Sequence, residues 1–280
     1  MTVYPFNIHL GPIEITGYGI MMMVAFLVGG WLIGLELKRR GLNREFAADI
    51  VIAALIGGVL GAKLWYVALT QDPGALFSRG GLVWYGGFFG GSLGVLFNGW
   101  RLKVPARWTM QVTAPALAAS YALGRVGCFL VGDDYGRPTE LPWGVAFPRG
   151  LPPSTAGNLT EFRVAIPAGT DPSTVLAVHP TQLYEVTIML LVFALLWSLR
   201  TRQRATGWLF AVYLMLAGLE RFFVEIFRAK DDRFLAGFTI AQLTSVGLIG
   251  LGGYLYWRWQ GEEEVAPGPY LSTVKKQVGA

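Results

Sequence analysis

The composition of this 280-residue chain indicates an integral membrane protein. Hydrophobic residues make up 53% of it and charged residues only 15%, whereas charged residues are about a quarter of a soluble domain. The net charge of +5 is too modest to indicate nucleic-acid binding and is better read loop by loop. A single cysteine excludes an internal disulfide bond. One cysteine and two histidines are too few ligands to predict a zinc site.

Apolar segments long enough to cross a bilayer predict seven transmembrane helices in an all-α fold. Residues 1–16 before them are mixed in polarity and are expected at the membrane interface. The first apolar segment is more typical of a retained helix than of a cleaved signal peptide, because no basic region precedes it. In chain order, the predicted helices are 17–37, 47–69, 82–100, 109–131, 180–199, 207–227 and 238–257.

Residues 132–178 differ from the rest of the chain. They are rich in Pro, Gly, Ser and Thr and contain no apolar segment long enough to span a membrane. We expect them to form a small periplasmic cap between the fourth and fifth helices, with short strands near residues 143–147 and 161–166. The chain as a whole, residues 1–280, is then a single membrane domain with this cap as an insertion.

The basic residues in the short loops predict the orientation in the membrane. Lys and Arg are concentrated after the first, third and fifth helices, and these three loops lie on the same side. The positive-inside rule places that side in the cytoplasm. The N-terminus and the cap then face the periplasm, and the C-terminus faces the cytoplasm.

A charged stretch at the end of the fourth helix is the first candidate site. Arg125 lies where an uninterrupted span should hold apolar residues, and Asp133 and Asp134 follow it closely. A charge near the bilayer centre costs roughly 2.5–3.5 kcal/mol on insertion scales. An arginine among glycines suits an anionic ligand such as a lipid phosphate. The same pattern also fits an arginine that only extends to the interface beside helix-packing glycines.

Three further polar groups lie at the same outer level in the predicted topology. They are residues 84–87 at the start of the third helix, 179–185 at the start of the fifth, and 220–228 in the sixth. Arg221 and Glu225 are four residues apart, so they share a helix face and could form an ion pair. Each group alone is typical of packing or of an aromatic belt. Arginines, carboxylates and a histidine at one depth of four helices instead indicate a site.

These motifs together resemble the prolipoprotein diacylglyceryl transferase family. Residues 124–133 read Gly-Arg-Val-Gly-Cys-Phe-Leu-Val-Gly-Asp, followed by Gly136, where the family signature is Gly-Arg-x-Gly-Asn-Phe-x-Asn-x-Glu and then Gly. Residues 179–185 differ from the family's His-Pro-Ser-Gln-Leu-Tyr-Glu only by threonine in place of serine. Residues 221–228 match its Arg-Phe-x-x-Glu-x-x-Arg pattern, and Tyr18 matches its first-helix tyrosine. The likeness covers nearly the whole chain.

The resemblance implies an enzyme of the bacterial cytoplasmic (inner) membrane. It would transfer a diacylglyceryl group from phosphatidylglycerol to the lipobox cysteine of a prolipoprotein signal peptide. Its partners would be these two substrates and other membrane lipids, with no nucleic acid, no metal ion and no organic cofactor. The resemblance implies catalytic candidates Arg125, Arg221, Tyr85, Asp133, Glu225 and His179. The substrate-binding candidates are Tyr18, Gly86, Gly87, Gly136, Gln182, Tyr184 and Arg228.

Several positions depart from the family pattern. Tyr85 stands where the family usually has a histidine that is assigned to catalysis, and Cys128 and Val131 replace the signature asparagines. Tyrosine is a poor base at neutral pH, so we expect Tyr85 to donate a hydrogen bond to a lipid oxygen. The acceptor of the thiol proton stays open among Asp133, Glu225 and His179. The arginines could instead lower the pKa of the thiol themselves.

Two other functions stay open at this point. One is a non-catalytic lipid- or lipoprotein-binding relative that has lost its base. The other is a transporter with an intramembrane arginine relay, which predicts internal repeats that this sequence does not show.

Overall fold

The computed structural model is mostly helical and describes residues 1–273 except 12, 78–82, 203, 231–232, 236, 261 and 263. Its α-helices within these residues are Gly17–Arg39 (α1), Glu45–Thr70 (α2), Trp84–Arg101 (α3), Ala106–Val131 (α4), Ala156–Glu161 (α5), Thr181–Leu199 (α6), Trp208–Val224 (α7), Ile240–Gln260 (α8) and Pro269–Ser272 (α9). Four of them, α1, α2, α4 and α6, are long and apolar enough to cross a membrane. The chain is therefore a multi-pass membrane protein.

The seven longest helices begin and end within three residues of the predicted apolar segments. The predicted start of the third helix, Leu82, lies outside the described residues. The predicted sixth helix ends early, because a 3-10 turn, Glu225–Phe227, follows α7. Hydrophobic length alone thus locates these helices well.

Three short two-stranded sheets lie outside the long helices in the part of the chain that the structure describes. Asn7–Leu10 (β1) pairs with Ile13–Thr16 (β2), Val145–Ala146 (β3) with Ala177–Val178 (β4), and Arg233–Leu235 (β5) with Phe238–Thr239 (β6), all antiparallel.

The strand predicted near residues 143–147 is confirmed as β3, but the strand predicted near 161–166 is wrong. The partner of β3 is β4 at the far end of the cap, so residues 161–166 have no strand to pair with. Residue 161 is the last residue of α5, whose first turn is capped by the Thr155 hydroxyl, and residues 162–166 follow this helix. Val164 and Ile166 instead pack their side chains against the apolar core of the cap.

Residues 132–178 have an apolar core of their own. Tyr135, Phe147 and Leu159 are buried in it, and the rings of Tyr135 and Phe147 stack with centroids 5.6 Å apart. Backbone hydrogen bonds attach the segment to the ends of the long helices, for example from Gly136 N–H to the His179 carbonyl. The cap thus fixes the chain directly after α4 against the start of α6.

Glycines let α2 and α3 pack backbone to backbone, and the glycines at 57, 58 and 61 of α2 are of the kind that suits close helix packing. A Cβ on Gly86 would collide with the carbonyl of Gly61 and lie 2.5 Å from the Trp65 Cβ. A Cβ on Gly90 would likewise meet the backbones of Gly57 and Gly61. Gly86, a predicted substrate-binding residue, therefore has a helix-packing role in this structure.

The ends of α1 and α4 meet in a similarly close contact. A Cβ on Gly127 would lie 3.2 Å from the Cα of Tyr18 and 3.1 Å from the Cβ of Met21. This contact brings the start of α1 beside the last turns of α4, where Arg125 lies. The helices α6 and α7 complete the group around that arginine.

Candidate active site

Six charged side chains form a closed ring of ion pairs at this end of the molecule. Each arginine contacts two carboxylates and each carboxylate contacts two arginines, so the formal charges cancel. The members, in order around the ring, are Arg125, Asp134, Arg228, Glu225, Arg221 and Glu185.

Arg125 is the ring arginine whose two ion-pair contacts are both shorter than 3 Å. Its Nη1 lies 2.8 Å from Asp134 Oδ2, and its Nε lies 2.8 Å from Glu185 Oε2. Nη2 donates to the hydroxyl of Tyr121, one turn earlier in α4, at 3.0 Å. The same hydroxyl donates to Glu185 Oε1 at 3.3 Å. The Arg125 guanidinium is thus held in one orientation by three different segments.

Arg221 and Arg228 close the other side of the ring. Arg221 Nη2 lies 2.7 Å from Glu225 Oε2, which confirms the predicted pair, and its Nη1 lies 3.7 Å from Glu185 Oε1. Arg228 contacts Asp134 through Nη2, and its Nε lies 3.7 Å from Glu225 Oε2. Glu185 is fully buried and Glu225 nearly so. Buried charges are stable only when they are paired in this way.

Asp134, rather than the predicted Asp133, supplies a carboxylate to the ring. Its backbone is left-handed, with φ of 60°, a conformation that aspartate tolerates better than most residues. Thr181 Oγ1 donates to the Asp134 carbonyl at 2.8 Å, and Gln182 Nε2 donates to the Asp133 carbonyl at 2.5 Å. These bonds fix the turn, so Gln182 acts here on the backbone.

The two neighbouring aspartates differ in acidity. Burial acts to raise the pKa of Asp134, but the charges and hydrogen bonds of Arg228 and Arg125 outweigh it and lower the pKa to about 2. Burial raises the pKa of Asp133, and so does the adjacent Asp134 charge. Asp133 takes part in none of the ion pairs among the described residues. Carboxylate oxygens of both aspartates and Cys128 Sγ lie within 4.8 Å of one another.

His179 and Tyr184 form a second polar group beside the ring. His179 Nδ1 lies 3.0 Å from the Tyr184 hydroxyl, which accepts a hydrogen bond from Trp143 Nε1 at 2.8 Å. The imidazole packs on Phe227, the residue before Arg228 in the chain, with ring centroids 5.3 Å apart. Burial lowers the pKa of His179, so its imidazole is neutral at pH 7.

Gly136 lies between these elements. A Cβ there would be 2.5 Å from the Phe227 carbonyl and 2.7 Å from the His179 Cβ. The position therefore needs glycine for the close approach of three chain segments.

Tyr85, Gly86 and Gly87 do not join the ring in this structure. They lie at the start of α3, which packs on α2, and the Tyr85 side chain is 53% exposed with its ring edge-on to Trp84. Tyr18, in contrast, lies beside Gly127 of α4. The predicted candidates that meet in the ring are therefore Arg125, Arg221, Glu225 and Arg228.

Four residues near the ring are absent from the predicted set. Glu185 and Asp134 belong to the ring itself, Tyr121 orients Arg125, and Glu220 is buried next to Arg221 with Oε1 lacking a hydrogen-bond partner among the described residues. The sequence does give a signal for the two glutamates. A carboxylate within an apolar helix is energetically unfavourable in a membrane unless a partner group pairs with it. Asp134 carries the same sequence signal as the adjacent Asp133, so the sequence does not show which of the two pairs with the arginines, and Tyr121 carries no comparable signal.

The fold and the ring together define a multi-pass membrane protein with a largely buried, arginine-rich cluster of ion pairs. The chain belongs to the prolipoprotein diacylglyceryl transferase family, whose model matches residues 5–258.

Relatives of high coverage support this membership. A phosphatidylglycerol–prolipoprotein diacylglyceryl transferase of Trichormus variabilis is 32% identical over 95% of this chain and 94% of its own length. Proteins of the same name from Geobacter sulfurreducens and Pseudoalteromonas atlantica are 32% and 31% identical, over 89% and 91% of this chain and 92% and 88% of their own lengths.

Proposed function

We propose that this protein transfers the diacylglyceryl group of phosphatidylglycerol to the lipobox cysteine thiol of prolipoproteins, the first step of bacterial lipoprotein maturation. The thiolate sulfur attacks the glyceryl carbon that carries the phosphate ester. A carbon–sulfur bond forms, the carbon–oxygen bond breaks, and glycerol 1-phosphate leaves with the electron pair. The observation that carries this proposal is the ring, because three arginines lie within the motifs shared with the family.

The arginines suit this leaving group. A planar guanidinium binds two oxygens of a phosphate at once. Fixed cations in a site shielded from water stabilise charge that develops on the phosphate as the carbon–oxygen bond breaks. In this structure the carboxylates pair with the arginines, and Asp134 has the most exposed side chain of the three carboxylates. The phosphate then takes the place of a carboxylate, and the arginines need little reorientation.

Asp133 is the best-placed acceptor for the thiol proton. It lies beside the ring, and its carboxylate is free of the ion pairs that hold Glu225 and Asp134. Its pKa is raised by burial and by Asp134, and a base works best when its pKa lies nearer the working pH. His179 is neutral at pH 7 and is the second candidate, while Tyr85 is exposed on α3.

An assay with phosphatidylglycerol and a lipobox peptide tests the proposed activity directly. We expect thioether-linked peptide and glycerol 1-phosphate in equal amounts. Binding of the lipid without any transfer would instead support the non-catalytic relative. Movement of lipid or solute across sealed vesicles without transfer would support the transporter.

Asp133→Asn tests the proton acceptor. The substitution keeps the size of the side chain and removes only its basicity, and general-base catalysis contributes about 10²–10⁴-fold. We expect the transfer rate to fall within that range, with unchanged binding of phosphatidylglycerol. Tyr85→Phe is the matched comparison, and loss of one hydrogen bond there is worth about ten- to a hundredfold at most. If Asp133→Asn transfers at the full rate, Asp133 is not the proton acceptor, and His179 becomes the first candidate.

We also propose the finer topology: seven spans in the inner membrane, the N-terminus and the cap in the periplasm, and the C-terminus in the cytoplasm. The basic loops after α1, α3 and α6 support this orientation. Labelling with an impermeant maleimide tests it. In intact cells we expect Ser173→Cys in the cap to be labelled and Arg202→Cys to react only after permeabilisation. Both positions are exposed, whereas the native Cys128 is buried. The reverse pattern would refute the orientation.

A further inference from the structure

A second ionic cluster surrounds Glu36 near the end of α1. This carboxylate is only 2% exposed. Its Oε1 lies 2.7 Å from Arg39 Nη2 and 2.6 Å from Arg40 Nε. Its Oε2 lies 3.4 Å from Nε of Arg200, which follows α6. Arg39 also donates to the Arg200 carbonyl at 3.1 Å, so the cluster joins the ends of two helices.

The cluster lies at the membrane surface opposite the ring. Tyr18, beside the ring, and Glu36 are both in α1, and a rise of 1.5 Å per residue separates them by about 27 Å. The hydrocarbon core of a bilayer is about 30 Å thick. The two ionic sites are thus at opposite ends of the same helix.

The charges of this cluster do not balance. Three guanidinium groups share one carboxylate, which leaves a local charge of +2, whereas the ring is neutral. Arg200 Nε is buried and has no hydrogen-bond partner among the described residues, since its contact with Glu36 is an ion pair at longer range. Bringing like charges together and burying an unmade donor are both unfavourable. An added anion beside the guanidinium groups would offset the excess positive charge.

Tryptophans support two of the arginines. The Arg200 guanidinium lies 3.6 Å from the centroid of Trp197, and that of Arg40 lies 5.3 Å from the centroid of Trp108. Stacking on an aromatic face leaves the N–H groups in the guanidinium plane available for an anion. Tryptophan is also the residue that favours the depth of lipid headgroups.

We propose that Arg39, Arg40 and Arg200 bind the phosphate headgroup of an anionic phospholipid in the leaflet opposite the ring. Basic pockets between helix ends recur as binding sites for such headgroups. The lipid would neutralise the excess charge and bridge α1 to α6. This site is separate from the proposed transfer reaction, and its occupant is a bound lipid that is not consumed.

Native mass spectrometry of the delipidated protein with added cardiolipin tests this site. Cardiolipin carries two phosphates and avoids the use of phosphatidylglycerol, the proposed substrate. We expect Arg200→Gln to weaken cardiolipin binding by about tenfold or more, because one charged hydrogen-bond donor is lost. Arg202→Gln is the matched control: it removes the same charge from an exposed side chain two residues away, and should leave binding unchanged.

Two results would overturn the proposal. One is equal binding by the Arg200→Gln and Arg202→Gln variants. The other is that inorganic phosphate binds as tightly as cardiolipin and displaces it completely. That result would show that the site binds a soluble anion. Thermal unfolding without lipid checks that the variants are folded. Should Arg200→Gln not fold, Arg39→Gln serves in its place, because the Arg39 side chain is the most exposed of the three, and the same two results decide.

Discussion

Replacement of Arg125 with alanine is expected to lower the rate of diacylglyceryl transfer by at least about a hundred- to a thousandfold. The loss of one preorganised donor to a developing anion typically has this effect. Arg125 is also the ring arginine that contacts both of its carboxylates, Asp134 and Glu185, at less than 3 Å. The measurement is transfer to a lipobox peptide, normalised to folded protein.

The structure makes a separate check of folding necessary for this variant. Without Arg125, Asp134 and Glu185 each lose one of two partners, so thermal unfolding must accompany the assay. Arg125→Lys keeps the charge but loses the planar guanidinium, which can donate two parallel hydrogen bonds to one phosphate. We expect this variant to stay folded but to transfer the diacylglyceryl group slowly. Arg149→Ala, an exposed arginine of the cap, should behave as wild type. A folded Arg125→Ala protein with full activity would exclude a phosphate-binding role.

Glu185→Gln is expected to be the most destabilising single change in the ring. Glu185 is fully buried and bridges Arg125 and Arg221. A neutral amide leaves both guanidinium groups short of a counter-charge, and breaking a buried pair in this way costs about 3–5 kcal/mol. The measurement is the unfolding midpoint in detergent, by heat or by denaturant.

A paired variant separates charge balance from other effects of the glutamine. The double variant Glu185→Gln with Arg221→Gln removes one charge of each sign. We expect it to recover part of the stability lost in Glu185→Gln, but to show no transfer because Arg221 is absent. The exposed Glu140→Gln provides the control for a glutamate lost elsewhere. An unchanged unfolding midpoint in Glu185→Gln would show that the ring contributes little to the fold. Recovery of transfer in the paired variant would assign Arg221 a structural role alone.

The fully paired ring explains how a membrane protein keeps so many charges at one depth. Each of these groups would be expensive alone, but the pairing leaves no net charge. Under the proposed function, a substrate phosphate would compete with the carboxylates for the arginines. Binding is therefore expected to depend on the carboxylates as well as on the arginines, because they set how readily each arginine is released.

The sequence by itself determined the features that depend on local geometry or on bulk composition. Apolar length located the long helices to within three residues, and the glycines at 57–61 suited close helix packing without indicating which helix is the partner. The pairing of Arg221 with Glu225 followed from the helical repeat alone. Each of these rests on residues near one another in the chain, where helix geometry fixes the distances.

Only the tertiary structure decided which distant charges meet. Arg125 and Glu185 are 60 residues apart, and they pair because α4 packs against α6. Asp134 rather than Asp133 enters the ring because a left-handed backbone turn, held by hydrogen bonds from α6, directs its side chain inward. Tyr85 lies apart from the ring because close glycine contacts hold α3 against α2. Helix packing and one backbone dihedral angle set these positions. The order of residue types along the chain determines neither of them, because both depend on contacts between distant segments.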